Sequence, residues 1–314
     1  MRRSEGFTLV ELVVAMAVLA IVSSQMFLVF TTQKDTYMTN ERALDAQEDA
    51  RLVVELIGAD ARLAGYMVPR RAGVSSVDGG IAAADRLCVS DWTVISNAML
   101  TNASGHFDLG QISPSGSAVT GTTIDLASPA QLNVDGDPVN TNDFSVNAGV
   151  IISNGTTSHC GMIQAVNAAT GRITLTAATA IPAAAAATLS AASAGVRVAP
   201  AVIYSIDPSG LGLRRNNVMV SADVEDLQVE FGVDVNADSA ITAPAEFPIH
   251  VLAGFDAAQI RSVRISIVAR AAQPDLKYTG GTRRFPGTAN RLTGPNDTFL
   301  RRRFVTSVLP RNLL

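Results

Sequence analysis

The chain has 314 residues and a formal net charge of −4, which is enough length for a sizeable core and for two globular units. Charged residues make up 17% of the sequence and aromatic residues 5%, and this composition argues against disorder driven by charge repulsion. The abundance of Ala, Ser, Thr, Gly and Val favours β structure built from small residues.

The charge is unevenly distributed along the chain. Residues 270–314 contain nine Lys/Arg residues against Asp275 and Asp297, so the rest of the chain is acidic. These arginines, including Arg301–Arg303, are interleaved with residues typical of strands. The pattern favours a folded surface that faces a partner over a tail that binds nucleic acid.

A basic leader, residues 1–6, precedes an apolar run over residues 7–30 that contains one charged residue, Glu11. As a helix this run would be roughly 36 Å long, which exceeds the ~30 Å hydrocarbon core of a bilayer. The basic leader is expected to stay in the cytoplasm while the rest of the chain is exported. The sequence therefore predicts a single membrane-spanning helix.

Glu11 is costly inside a membrane, by about 2.5–3.5 kcal/mol on insertion scales. One interpretation is an ordinary anchor with Glu11 close to the lipid headgroups. The other is that a partner neutralises it. If the chain is cut between Gly6 and Phe7, the new amine lies one helical turn from Glu11. Two staggered helices could then pair the amine of one with Glu11 of the next.

Residues 31–65 continue as a helix, since they contain no Pro and many good helix formers. Gly65 and Pro69 form a stop signal, so one helix is predicted from about Thr8 to Ala64. Its last part is predicted to pack on the head through an apolar stripe formed by Leu52, Val53, Leu56, Ile57 and Leu63.

Residues 70–195 read as a β-rich insertion or a first head unit. Arg70–Asp85 and the alanine run Ala183–Ala187 are predicted as a loop and a surface connection. The predicted strands are Leu87–Ile95 (with Trp92), Thr122–Ala127, Gly149–Ser153 and a hairpin of Gly161–Val166 and Arg172–Thr176 that turns at Thr170-Gly171.

Residues 196–314 are predicted to form an antiparallel sheet. Strands Val196–Ile206 and Leu211–Arg215 flank the turn Asp207-Pro208-Ser209-Gly210, and Phe299–Leu309 ends the sheet. Strands Leu227–Val235 and Ile260–Arg270 alternate, with polar residues predicted on the outer face: Gln228, Glu230, Arg264 and Ser266. The predicted fold class is α+β, with a long N-terminal helix on an antiparallel head and a β-rich insertion.

Cys88 and Cys160 both follow the membrane segment and would lie in an oxidising compartment. A disulfide between them would enclose a loop of 71 residues, and the alternative is two buried, unpaired thiols.

Asp234, Asn236 and Asp238 place oxygen atoms at alternate positions, as at the start of a calcium loop. Ser239 stands where such loops have Gly, so the alternative is a solvated turn rich in Asx residues. Asp135-Gly136-Asp137 is a weaker version of the same pattern. No other cofactor is expected.

The sequence predicts a protein that is not an enzyme. His106, His159 and His250 are far apart and belong to no catalytic motif. His159 adjoins Cys160, but neighbouring residues of a strand point to opposite faces.

The tract Gly6-Phe7-Thr8-Leu9-Val10-Glu11-Leu12 resembles the class III signal of type IV pilins and type II secretion pseudopilins. The resemblance implies cleavage after Gly6 by a prepilin peptidase, N-methylation of Phe7 and an assembly role for Glu11.

Three further tracts, 54–66, 204–215 and 302–312, are similar to PilW-type minor pilins of the type IV pilus, which are related to the J-type pseudopilins. The resemblance implies a minor pilin that helps to initiate a pilus near its tip. Its expected partners are other minor and major pilins, prepilin peptidase and the inner-membrane assembly platform, with nucleic acid not expected. The expected location is the bacterial inner membrane, with one span and a periplasmic head, and then the extracellular pilus. A minor pseudopilin of type II secretion, or an adhesin or DNA-binding module at the tip, are the alternatives.

Overall fold

A computed structural model describes residues 8–91, 93, 107–114, 118–192, 195–242, 244–252, 254–275, 285–291 and 294–313. It consists of a long N-terminal helix and a β-rich head in which every described strand pair is antiparallel. The predicted α+β class is confirmed.

Helix α1 (Leu9–Leu63) is continuous, as predicted. Thr8 is its N-cap, and the Thr8 hydroxyl accepts a hydrogen bond from the main-chain N–H of Glu11 at 3.2 Å. Part of the predicted apolar stripe is wrong, since Leu52 is 66% exposed. The buried face carries smaller residues, because they let the sheet approach the helix axis: Ala46, Ala50, Val53, Ile57, Gly58 and Ala61.

Eleven of the described strands form the larger sheet. They are β1 (Val74–Val77), β2 (Arg86–Val89), β3 (Gly110–Gln111), β4 (Val119–Thr120), β5 (Thr123–Asp125), β6 (Gly149–Ser153), β7 (Ser158–Asn167), β8 (Arg172–Leu175), β9 (Arg197–Ile206), β10 (Leu213–Arg215) and β11 (Val218–Ser221). The main order is β1-β2-β9-β6-β7-β8-β5-β4, with β3 and β10 also on β9, and β11 on β10.

A smaller sheet has the order β12-β13-β14. Its strands are β12 (Val224–Val233), β13 (Ile260–Arg270) and β14 (Arg301–Val308). One face packs on the second half of α1 and shares a hydrophobic cluster with it, in which Val53 and Ile57 of the helix meet Val229 and Ile265 of the sheet. A second cluster, which includes Phe107, Phe144 and Ile151, fills the larger sheet.

The structure corrects three expectations about residues 70–196. Strand β1 lies in the predicted loop 70–85. The alanine run begins a second helix, α2 (Ala183–Ala191), because Ala has the highest helix propensity. The boundary at 196 does not separate two sheets, since β9 lies between β2 and β6 of the larger one. The predicted hairpin before α2 is present as β7 and β8, with Gly171 at φ +69°.

The polar face of β12 and β13 is also different from the expectation. Gln228, Glu230 and Ser266 are buried rather than outward-facing. Loop 78–85 and segment 285–291 cover this face: Gln228 donates a hydrogen bond to the carbonyl of Ala83 at 3.0 Å, and Arg291 pairs with a carboxylate of β12. Trp92 and residues 94–106 lie outside the described residues.

Candidate assembly helix and its attachment to the head

The first half of α1 is an apolar surface that the head does not cover. Every residue from Leu9 to Phe30 is exposed, and the helix is long and apolar enough to cross a membrane by length and composition. The side chains on this surface include large ones such as Leu19, Ile21 and Phe27. This half can therefore be buried only by lipid or by another protein.

Glu11 is the one charged residue in this surface and is exposed. None of the described residues forms an ion pair with its carboxylate. Gly6 and Phe7, the residues predicted to flank the cleavage site, lie outside the described residues. The exposed Glu11 carboxylate is therefore accessible to a charged group of another molecule.

Asp60 attaches the second half of the helix to the larger sheet. Its Oδ2 accepts a hydrogen bond from the Tyr204 hydroxyl of β9 at 2.6 Å and from Arg215 Nη2 of β10 at 3.0 Å. Burial and the bond to Asp60 raise the pKa of Tyr204, so the hydroxyl stays a donor. Tyr204 and Arg215 lie in a tract that carries the family resemblance. Their contact with Asp60 could not be predicted from the sequence, because Asp60 and Tyr204 are 144 residues apart.

The C-terminal residues close the end of helix α1. Gly65 has a φ of +79°, and a Cβ there would lie 2.6 Å from Cδ2 of the buried Leu313. Asn312 donates a hydrogen bond to the carbonyl of Leu63 at 3.4 Å. These contacts explain why a glycine ends the helix: Leu313 packs into the space that a side chain at Gly65 would fill.

Arginines of the C-terminal segment pair with acidic residues of β12. Arg301 bonds Glu225 at 2.5 Å and Asp297 at 2.6 Å, while Arg291 bonds Asp226 at 2.7 Å. Burial alone would lower the pKa of Arg301, but the hydrogen bonds to these carboxylates raise it.

The predicted partner-facing surface is therefore wrong for Arg301, which is buried, whereas Arg302 and Arg303 are exposed. Within this segment, Arg270, Arg291 and Arg301 pair with acidic residues of β12.

Cys88 of β2 and Cys160 of β7 are joined by a disulfide, with their Cα atoms 5.6 Å apart. Both are fully buried in the cluster of the larger sheet. The bond therefore crosslinks the two strands that frame β9 and β6.

The loop after β12 uses its oxygen atoms internally. Asp234 accepts hydrogen bonds from the main-chain N–H groups of Asp238 and Ser239, both at 3.1 Å, and pairs with Arg261 at 3.2 Å. Asn236 donates its amide to Asp238 at 3.0 Å. Because a guanidinium already neutralises Asp234, these contacts do not favour calcium there, and that site stays a prediction.

Metal and catalytic groupings are scarce in the described residues, where no three His, Cys, Asp or Glu side chains gather to hold a metal ion. His159 bonds the carbonyl of Thr179 at 3.0 Å, and burial lowers the pKa of this histidine. His250 lies 3.9 Å from Glu230, and His106 is outside the described residues. His159 and His250 thus contact other residues of the head, and the Cys160 sulfur beside His159 is bonded in the disulfide.

Two protein-family models match this chain, one over its N-terminal residues and one over its C-terminal third. The prokaryotic N-terminal methylation motif matches residues 1–24, and the type IV pilus-assembly protein W family matches residues 202–312. The second region contains Tyr204, Arg215, the whole smaller sheet and Asn312, which are the parts that hold the helix.

Among solved structures, a type IV-like pilin from Thermus thermophilus is similar at 10% identity over 85% of this chain and 96% of that chain, with a TM-score of 0.27. A similarity at that score does not establish a shared fold, and the fold class follows from the helix and strands described above. No curated protein matches the sequence significantly. The methylation motif at residues 1–24 and the match over residues 202–312 together support a minor pilin of the type IV pilus.

Proposed function

We propose that this pilin is a minor subunit that takes part in initiating a type IV pilus and lies near its tip. The observation that carries the proposal is the division of one continuous helix. Its first half, Leu9–Phe30, is a fully exposed apolar rod, and its second half is fixed to the head. A subunit with that division can pass from a lipid environment to a protein environment without refolding.

Processing would begin the pathway. Prepilin peptidase would cut between Gly6 and Phe7, and the new N-terminus at Phe7 would be methylated. The mature chain would stay in the inner membrane through its single span, with the head in the periplasm, until the assembly platform transfers it into the filament.

The membrane and the filament differ in what they offer Glu11. In lipid the carboxylate costs about 2.5–3.5 kcal/mol, whereas in a helical bundle the Phe7 amine of a neighbouring pilin could neutralise it. Pairing of opposite charges in a low-dielectric surrounding is strong and depends on distance. The pair would therefore favour transfer out of the membrane and set the axial stagger between subunits.

The head would follow the helix as one body. Asp60 ties α1 to the larger sheet, and Leu313 packs at Gly65 at the end of the helix. Extraction of the helix from the membrane would therefore move the head with it and deliver the head to the outer end of the growing filament.

Mass spectrometry of the mature protein tests the processing step. We expect an N-terminal Phe7 that carries one methyl group. A chain that retains Met1 in the membranes of cells with an active prepilin peptidase would contradict the proposal.

The Glu11→Ala variant tests the assembly step. We expect normal membrane insertion, since the substitution removes a polar group from the apolar surface, together with a loss of pili in a strain that depends on this subunit. Glu48→Ala, on the exposed face of the second half of the same helix, is the matched control and should leave piliation unchanged. Normal piliation with Glu11→Ala would refute the assembly role.

Co-purification of the full chain from crosslinked membranes separates the pilus from type II secretion. Recovery of other minor pilins and of the pilus assembly platform is the expected result. Recovery of secretion pseudopilins instead would move the same assembly role to the secretion system.

A further inference from the structure

The loop formed by residues 133–143 combines buried carboxylates with a rigid frame. It follows the short 3-10 helix Pro129–Leu132 and precedes β6. Leu132, Val134 and Phe144 at its ends belong to the hydrophobic cluster of the larger sheet. The polar side chains of the loop are therefore held against the protein interior.

Three oxygen atoms of this loop are buried and accept no hydrogen bond from the described residues: Asn133 Oδ1, Asp135 Oδ2 and Asp143 Oδ1. Asp135 is 1% exposed and Asp143 is 8% exposed. Leaving a buried acceptor unsatisfied destabilises the folded state, and more so when the group is charged. These three buried oxygen atoms therefore remain open to a ligand that binds oxygen.

Each of these side chains is held in place through its other polar atom. Asp135 Oδ1 accepts the N–H of Asp137 at 2.8 Å, and Asp143 Oδ2 accepts the N–H of Val134 at 2.6 Å. The Asn133 amide donates to the carbonyl of Asp137 at 2.9 Å. The remaining oxygen of each group is thereby fixed and needs no rearrangement to serve as a ligand.

The local charge is negative. The side chains of Asp135 and Asp137 lie close enough to Asp143 to repel its negative charge. In the loop at 234–239, by contrast, Arg261 supplies the positive charge. The two Asx-rich loops therefore differ in charge. In the 234–239 loop Arg261 pairs with Asp234, whereas in the 133–143 loop the buried carboxylates of Asp135 and Asp143 repel each other.

We propose that the 133–143 loop binds a divalent cation of the calcium type through Asn133, Asp135 and Asp143. Carboxylate and amide oxygens are hard ligands, which suit Ca²⁺ and Mg²⁺. Ca²⁺ accepts irregular sets of six to eight oxygens that include main-chain carbonyls and water, whereas Mg²⁺ demands a near-ideal octahedron. A loop that presents two carboxylates and one amide, with the remaining positions left to carbonyls and water, fits Ca²⁺ better.

Thermal unfolding of the full chain in detergent tests this site. Calcium chloride at a few millimolar, the range of extracellular calcium modules, should raise the unfolding midpoint by at least about 2 °C. The same concentration of magnesium chloride should give a smaller shift. Asp143→Asn and Asp135→Asn should lose the calcium shift, while Asp238→Asn, in the other Asx-rich loop, should keep it.

The unfolding midpoint without metal separates ligand loss from misfolding. Asp143→Asn removes a buried repulsive charge, so its midpoint in the presence of a chelator should equal or exceed that of the parent chain. As a second measurement, titration calorimetry should detect calcium binding to the parent chain and not to Asp143→Asn.

Three results would overturn the proposal. The first is a parent chain whose midpoint and calorimetric signal do not respond to calcium. The second is a calcium shift of equal size in Asp143→Asn. The third is a shift that Asp238→Asn abolishes, which would place the ion in the 234–239 loop. None of these results bears on the pilin assignment.

Discussion

The two halves of helix α1 have the same secondary structure but differ in the exposure and the size of their apolar side chains. The first half exposes large side chains such as Leu19 and Phe27, whereas the second buries small ones such as Ala50 and Ala61. Large apolar side chains suit a surface that lipid covers, and small ones let a sheet approach the helix closely. The difference indicates that side-chain size, as well as hydrophobicity, distinguishes the exposed half from the half that packs on the head.

The largest expected effect comes from a matched pair of isoleucine truncations. Ile57→Ala removes a fully buried side chain from the cluster between helix and sheet, and we expect it to lower the free energy of unfolding of the head by about 2–5 kcal/mol. Ile21 is 63% exposed in the first half, so Ile21→Ala should leave head unfolding within about 0.5 kcal/mol of the parent. Denaturant titration of both variants in detergent measures the two values.

Equal losses in the two variants would contradict the division, because they would mean that the first half of the helix also contributes to head stability. Ile21→Ala should instead act on assembly, since it trims the surface that other subunits would bury.

Two carboxylates extend the comparison to pH. Glu11 is exposed in the first half of the helix, while Asp85 is buried in the head against β12 and its oxygens accept the N–H groups of Gly79 and Val229. Burial raises the pKa of Asp85 to about 7 despite these bonds, and the nearby carboxylates of Asp78 and Asp226 act in the same direction.

A carboxyl whose pKa is higher in the folded state stabilises that state most at low pH. The contribution of Asp85 should be complete below about pH 4 and be lost as the pH rises through 7, a change on the order of a few kcal/mol. Unfolding of Asp85→Asn from pH 4.5 to 7.5 should lack this decline, whereas Glu11→Gln should keep it. An unchanged pH profile in Asp85→Asn would show that other groups cause the decline.

A smaller effect is expected at the junction between the helix and the larger sheet. Asp60→Ala leaves the Tyr204 hydroxyl and the Arg215 guanidinium, both partly or fully buried, without their shared carboxylate. The expected loss is about 1–3 kcal/mol in the free energy of unfolding. Glu48→Ala, on the exposed face of the same half, should change the value by less than about 0.5 kcal/mol. Equal values for the two variants would show that Asp60 does not stabilise the attachment of helix α1 to the larger sheet.

The sequence predicted the elements whose pattern is local. The single helix to residue 63, the strand-turn-strand at Asp207–Gly210 and the hairpin at Gly171 follow from composition and turn residues that lie next to one another. The leader tract predicted the N-terminal methylation motif, which matches residues 1–24, for the same reason: its informative residues are contiguous.

Features that depend on residues far apart in the sequence could not be predicted from local patterns. Gln228 and Glu230 alternate with apolar residues as an exposed face would, and only the arrival of residues 83–85 and 285–291 buries them. The same holds for Asp60 and Tyr204, which are remote in sequence. The loop after β12 gives a further example, since the spacing of its Asx residues gave no sign that Arg261 of β13 pairs with Asp234.

The smallest expected effect is a gain in stability within the second half of the helix. Gly58 lies on the buried face beside β14, and a Cβ there would meet the Val308 Cγ2 methyl at 3.6 Å, an ordinary van der Waals distance. Gly58→Ala should therefore raise the free energy of unfolding by about 0.5–1 kcal/mol, because Ala loses less conformational freedom in a helix. Gly65→Ala is the informative counterpart, since its φ of +79° and the 2.6 Å approach of Leu313 predict a loss instead. If Gly58→Ala were destabilising as well, the helix and β14 would have to be packed too closely for even a methyl group, and the small residues of the second half would be required by contact rather than merely permitted.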